Sequence, residues 1–365
     1  MATEDMKDPD MLPTLDELHK RLTTFELDAE AIAFRDNAAL SRHLNGLEDV
    51  EVASIGRSRG DRELFGLRFG NGPRSVSIIA GCHADEPIGP MTAQSFSTIL
   101  HRHFPEFLDA FRFHVVPQMN PDGAEANRAW FRDPLELSVY LNHVVRELPG
   151  DDLEFGFGSG KDVRPECRAA QDFLGSHAPH TAHFSLHGMG FAEGVWCLIC
   201  KEWTERSDSF MNSYEQLCRQ MGMALHDIER NGEKGFTRIR EGFCTTPTAE
   251  AMKAYFMERN DRAMAERFKP ASMDWIQSLG GDPLCMVSEL PLFNMGRRSA
   301  SPSEPLSAQL KEDLAEVRAA HPTLAPKHLE ALCRDYEIAP TPIDLQVRLQ
   351  IGLILFALAT LPDPC

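Results

Sequence analysis

The chain has 365 residues, 42% of them hydrophobic, enough to bury a sizeable core. Its 37 Lys and Arg stand against 55 Asp and Glu, a formal charge of -18. With no basic patch to offset it, that field repels phosphate backbones and anionic lipid, which excludes nucleic acid and membrane surfaces as partners.

In chain order, residues 1–13 lack a basic start followed by an apolar core, so they read as a flexible acidic tail and not as a secretory signal. Residues 14–365 read as a single domain, since neither a Pro/Ser/Gly linker nor a repeat divides them. Leu15 to about Phe34 carries apolar residues at helical spacing and predicts a surface helix. VEVASIG, ELFGLRFG, SVSIIAGC and FRFHVVPQMN are β-branched and aromatic runs punctuated by RSRGDR and GNGPR, and predict strands. A helix over PECRAAQDFLGSHA then precedes the strands HFSLHGMG and GVWCLIC. SDSFMNSYEQLCRQMGMAL and TPTAEAMKAYFMERNDRAMAERF predict helices, and LCMVSELPLF predicts a strand covered on both faces. LSAQLKEDLAEVRAA and IDLQVRLQIGLILFALATL complete the helical layer. The apolar end of that last segment is shorter than the about 20 residues a bilayer requires, and predicts a buried final helix. Strands alternating with helices imply an α/β fold.

Nine scattered cysteines, an odd number, imply free thiols in a reducing cytoplasm. Cys197 and Cys200 form a lone CxxC inside an apolar run, and read as ordinary buried thiols.

Ligands of open α/β sheets gather at the carboxyl ends of strands, so polar residues directly after apolar runs draw attention. Four places qualify: His83 with Glu86, the tetrad Asn120-Pro121-Asp122-Gly123, His187, and Glu289. Two histidines and one carboxylate suffice for catalytic zinc, which takes three protein ligands and leaves a fourth position for water. HADE is equally readable as a polar turn, because an HxxE pair arises by chance and His101, His103, His177, His180 and His183 show that histidines are common here.

The order of further landmarks adds a resemblance. SIGRSRGDRELFGLRFGNGPRSVSIIAGCHADEPIGP, NPDG, RPECRAAQDFL, SLHG and SMDWIQSLGGDPLCMVSELP, over about residues 54 to 291, resemble the M14-type zinc metallocarboxypeptidases. The resemblance implies a mixed, mostly parallel central sheet with helices on both faces. It implies one zinc ion held by His83, Glu86 and His187, and Glu289 as general base. It also implies Asp152 as the carboxylate orienting His83, and Arg128, in NRAW, as the cation polarising the scissile carbonyl, with Arg132 within reach.

The chain departs from the family where the substrate end binds. Asp152-Leu153-Glu154-Phe155 replaces Asp-Leu-Asn-Arg, the pair that grips a terminal carboxylate, and Asp85 stands where digestive members keep an arginine. No tyrosine lies shortly before Ser272, and Tyr255 is too far upstream for that place. Glu154 and Asp85 are therefore expected to face the substrate and to repel an anionic end. The group beyond the cleaved bond is then amine-bearing or uncharged, unless Arg238, Arg240, Arg297 or Arg298 replaces the clamp. The expected activity is zinc-dependent hydrolysis of a peptide or amide substrate. Two alternatives are an N-acyl amino acid deacylase of the aspartoacylase and succinylglutamate desuccinylase type, and a zinc-binding pseudoenzyme.

Overall fold

The computed structural model describes residues 12–30, 32–148 and 151–362. Most of the expected tail, residues 1–11, lies outside the described residues, whereas Pro13 is buried and Leu12 packs on the core.

Ten strands form one mixed sheet: β1 (Glu51–Arg57), β2 (Glu63–Phe69), β3 (Arg74–Ala80), β4 (Phe111–Val116), β5 (Ala182–Ala192), β6 (Trp196–Ile199), β7 (Arg238–Arg240), β8 (Phe243–Thr245), β9 (Leu284–Met295) and β10 (Ile338–Pro340). Their order is β1-β2-β4-β3-β5-β9-β6-β8-β7, with β10 on β9. The central four, β4-β3-β5-β9, run parallel, while β1-β2, β2-β4 and β6-β9 are antiparallel. Parallel strands need crossovers that cover the faces, and this explains why β3, β5 and β9 are so apolar. Helices Ile88–His103 and Ile343–Ala359 pack on β5 from one side, and Ser272–Ser278 packs on β5 with Pro165–Gly175 against β1 and β2. The C-terminal helix is buried along nearly its whole length, as its composition predicts.

Two expectations needed correction, and one helix was not foreseen. The first helix stops at Thr24, and a second, Asn37–Leu44, begins where the Asp36 side chain accepts Ala39 N–H at 2.7 Å. The intervening chain instead brings Phe34 against Phe131, with ring centroids 5.4 Å apart. The TPTAEAM helix breaks at Asn260, whose φ of 58° is left-handed, and Asp261 caps a short second piece. Helix Ile88–His103 escaped prediction because most of its residues from Ile88 to Leu100 are buried all round, so no polar face marks its period.

Several landmarks turn out to be joints of the scaffold. Asp122 of NPDG accepts bonds from Ser58 Oγ, Gly60 N–H and Arg62, so the turn after β1 docks on it. Burial works against ionisation of Asp122, but the Gly60 N–H and Arg62 more than offset it and hold the carboxyl below its ordinary range. Glu166, buried at the start of its helix, accepts Arg59 N–H at 3.0 Å and is clasped by Arg164.

Candidate metal centre

β3 ends at Ala80, and the HADE turn hangs directly from it before helix Ile88–His103 begins. Gly89 lets that helix press onto β5, since a Cβ there would lie 2.3 Å from Leu186 O. The next residue of β5 is His187. On this strand His183, Ser185 and His187 share one face, the alternation inherent in extended backbone. Parallel pairing sets Glu289 of β9 directly beside His187, so two residues about a hundred positions apart meet through strand register alone.

The result is a tight cluster. His83 Nδ1 lies 2.8 Å from Glu86 Oε1, His187 Nδ1 lies 2.8 Å from Glu86 Oε2, and the two Nδ1 atoms are 3.1 Å apart. Gly188 N–H donates to Glu86 Oε2 at 3.2 Å. Donors held 2.0–2.1 Å from one tetrahedral zinc are separated by roughly 3.3 Å, so this spacing fits such an ion. Two ring nitrogens facing each other across a carboxylate are the arrangement a cation between them would relieve.

Electrostatics agree with that demand for positive charge. Burial opposes ionisation of Glu86, yet His83, His187 and Arg146 outweigh it and hold its pKa well below the ordinary value. His187 is pushed down by burial, but Glu86 and Glu154 on either side carry it well above the ordinary imidazole value. For Glu289 the balance goes the other way: burial, with Glu86 beside it, raises its carboxyl to about 8 despite His187 and Arg146.

The remaining expected site residues are distributed differently. Asp152 does not reach His83 through any hydrogen bond among the described residues; its Oδ1 accepts Phe155 N–H at 3.4 Å and so caps its own turn. Glu154, expected to face the substrate, turns towards the histidine cluster. It is buried, with Oε2 2.9 Å from His187 Nε2. Asp85 is buried as well, its Oδ1 2.9 Å from Arg146 Nη1, which also reaches Glu86 Oε1 at 2.9 Å. Arg128 is two-thirds exposed, pairs with Glu125 and lines an outer cavity of about 320 Å³. Arg132 pairs with Glu136. A crevice touching His83 and Glu86 shares Phe34, Gln118 and Phe131 with that cavity, but Arg128 itself is not at the cluster.

Arg146 is the guanidinium that sequence reasoning missed. Asn127 places it: the buried amide donates to Ala84 O and Val145 O and accepts Val145 N–H, tying the HADE turn to the segment that carries the arginine. A signal did exist, because a buried Asp85 requires a cation. Its source was not legible, since Arg146 lies 61 residues away in an unremarkable VVREL. The four proposed substitute arginines are engaged elsewhere, Arg238 with Asp227, Arg240 with Asn212, Arg297 with Asp335 O and Arg298 with Glu241. The described cysteines are free thiols, and Cys197 and Cys200 belong to no metal-ligating cluster among the described residues.

A mixed sheet whose central strands present two histidines and a glutamate at one edge, with a second glutamate in register, defines a metallohydrolase-like site. The zinc carboxypeptidase family model matches residues 47–257, more than half of the chain, and the chain belongs to that family. Mouse carboxypeptidase M is 24% identical over 234 residues, covering 56% of this chain and 51% of that protein, so the chain spans about half the length of this curated relative. Similar solved structures include a metallo-carboxypeptidase from Burkholderia cenocepacia (15% identity, 88% of this chain and 67% of that chain, TM-score 0.46). Bovine thrombin-activatable fibrinolysis inhibitor, solved with tick carboxypeptidase inhibitor, matches at 16% identity over 95% and 96% with a TM-score of 0.47. Carboxypeptidase A from Helicoverpa armigera matches at 12% over 95% and 79% with a TM-score of 0.49. No helix among the described residues is long and apolar enough to cross a membrane.

Proposed function

We propose that the chain hydrolyses a peptide or amide bond with one zinc ion held by His83, Glu86 and His187. The single observation that carries this reading is the convergence of those three donors, 2.8 to 3.1 Å apart, with Glu289 paired to His187 across the sheet. Bound zinc supplies a Lewis acid and lowers the pKa of water at its open position towards ~7.

The chain's own residues do the rest. Glu289 takes the proton of the attacking water and returns it to the leaving nitrogen; burial alone would hold its carboxyl protonated, so this role requires the positive charge of the bound metal, with His187 and Arg146, to keep it ionised. Arg146 uses Nη1 to hold Asp85 and Glu86, and Nη2 has no hydrogen-bond partner among the described residues. That free edge stabilises the scissile carbonyl oxygen as it gains charge, in place of the Arg128 expected from sequence.

The expected repulsion of an anionic substrate end loses its basis. Glu154 is turned onto His187, and Asp85 is neutralised by Arg146. Peptides with a free C-terminal carboxylate are admitted as substrates in this reading without the family's arginine clamp, and a cytoplasmic location is part of it, supported by the free thiols. The test is metal analysis combined with hydrolysis of matched peptides with free and amidated ends. One zinc per chain and chelator-sensitive cleavage of the free form are expected. Zinc-loaded protein that cleaves neither, or that cleaves only N-acyl amino acids, would reject the proposal.

A further inference from the structure

Glu154 occupies the position at which the sequence resemblance places a substrate-gripping residue, yet its surroundings are those of the protein interior. Leu153 and Phe157 are fully buried, Phe155 packs on Phe268 with centroids 5.1 Å apart, and Phe157 N–H bonds Pro270 O at 3.1 Å. This anchored turn delivers the Glu154 carboxylate to the His183-Ser185-His187 face of β5. Oε2 lies 2.9 Å from His187 Nε2 and accepts Ser185 Oγ–H at 3.4 Å. The Glu154 and His187 side chains are 8% and 3% exposed, so water hardly competes for this contact. A charge-assisted bond in such a setting is stronger and more directional than one at a surface.

The imidazole of His187 is thus held from both sides, Nδ1 towards Glu86 and His83, Nε2 towards Glu154 and, at 2.8 Å, towards Ser185 Oγ, which itself leans on the Glu154 carboxylate. We propose that Glu154 is a positioning residue: by accepting the Nε2 hydrogen of His187 it fixes the tautomer that offers Nδ1 to the metal, and it makes no contact with substrate. The inference rests on the reading of His187 as a zinc ligand. It assigns the metal-orienting carboxylate to a different residue, and to a different histidine, from those the sequence suggested.

The competing explanation of this corner is a second metal ion, because donor atoms of Cys82, Glu154 and His187 lie within 4.8 Å of one another and Glu154 Oε1 lacks a hydrogen-bond partner. That site would have to share His187 with the first ion and take its metal at three buried residues. Orientation by Glu154 accounts for the same atoms without a second cation.

The test uses the full chain with zinc alone as probe. Stoichiometry and affinity are measured by chelator competition for wild type and Glu154→Gln, with apo-protein unfolding as the fold control. Expected are one zinc per wild-type chain and about 10- to 100-fold weaker binding in the variant, with KM little changed. Imidazole ¹⁵N spectra of zinc-loaded wild type, which need no variant, should show His187 protonated at Nε2. Unaltered zinc affinity in Glu154→Gln, or a raised KM for free-carboxylate peptides at unaltered affinity, overturns the inference and leaves the zinc reading standing. Two zinc ions per chain, one lost in Cys82→Ser, also overturns it. Wild type that binds no zinc overturns both.

Discussion

The two ends of the central strands are both rich in histidine and behave oppositely. At the carboxyl ends, His83 and His187 meet the buried carboxylates of Glu86 and Glu154. Towards the other end, His114, His177 and His180 crowd together, with ring centroids 4.1 Å apart for His114 and His177 and 5.8 Å for His114 and His180. Their neighbours there are Arg68, Ser75 and backbone carbonyls. His183 sits between, bonded to Ser77 and Ser272. Burial pushes His114 down to about 3, His180 to about 4 and His183 to about 3, whereas His187 is carried upward. Histidine density therefore carries little information about a metal site. The partner decides the charge: carboxylates on both sides carry the His187 imidazole upward, whereas rings whose polar neighbours are serines, arginines, other histidines or carbonyls are pushed down.

The largest test of this contrast is Glu289→Gln. Zinc should stay bound, because the residue stands beside the ligands and is not one of them, while turnover falls about 10²- to 10⁴-fold. Near-normal turnover at full zinc occupancy would remove the general base. Next is Arg146→Ala, for which steady-state kinetics should show a loss of about 10²- to 10³-fold in kcat. An unchanged kcat would return the cationic role to another residue.

Acid sensitivity probes the opposite end. Above pH 6.5 His114, His180 and His183 are neutral both folded and unfolded. As pH falls below that value the unfolded chain binds protons that the native state takes up only near pH 3 to 4, so stability is lost over that window. At pH 5 each contributes about 2 kcal/mol of destabilisation. Urea unfolding of wild type and His183→Gln at pH 7 and pH 5 isolates one ring's share, and the variant should show the flatter slope. Equal midpoints at the two pH values would mean that these rings already exchange protons freely when folded. The smallest effect is expected for Arg128→Ala, about twofold or less in kcat/KM, since its side chain is exposed and paired with Glu125. A hundredfold loss there would show that the outer cavity closes on the cluster during turnover.

Much of this was legible in the chain itself. Strand runs with period two and caps at polar residues come from local sterics and solvation, which neighbouring residues determine. The order HADE, NPDG, SLHG, SELP pointed to the right family: the first two follow the ends of β3 and β4, and the last two lie within β5 and β9, where each is embedded in its own apolar run. The break after Thr24 and the helix Ile88–His103, whose polar Thr92, Gln94, Ser95 and Ser97 are buried with its apolar residues, were not legible, because Phe34 finding Phe131 and burial on nearly every side are tertiary events.

Side-chain direction was the other hidden quantity. Sequence alone singled out the residues to which the chemistry is assigned in the proposed reading: two imidazoles, one nearby carboxylate and a further glutamate in an apolar run. Only the tertiary structure decided their company, sending Asp152 to cap its own turn, Glu154 inward to His187 and Arg146 across to Asp85. The reason is physical. A buried charge must find an opposite partner within a few ångströms, and which partner is that near depends on how distant strands and loops pack, which no spacing along the chain records.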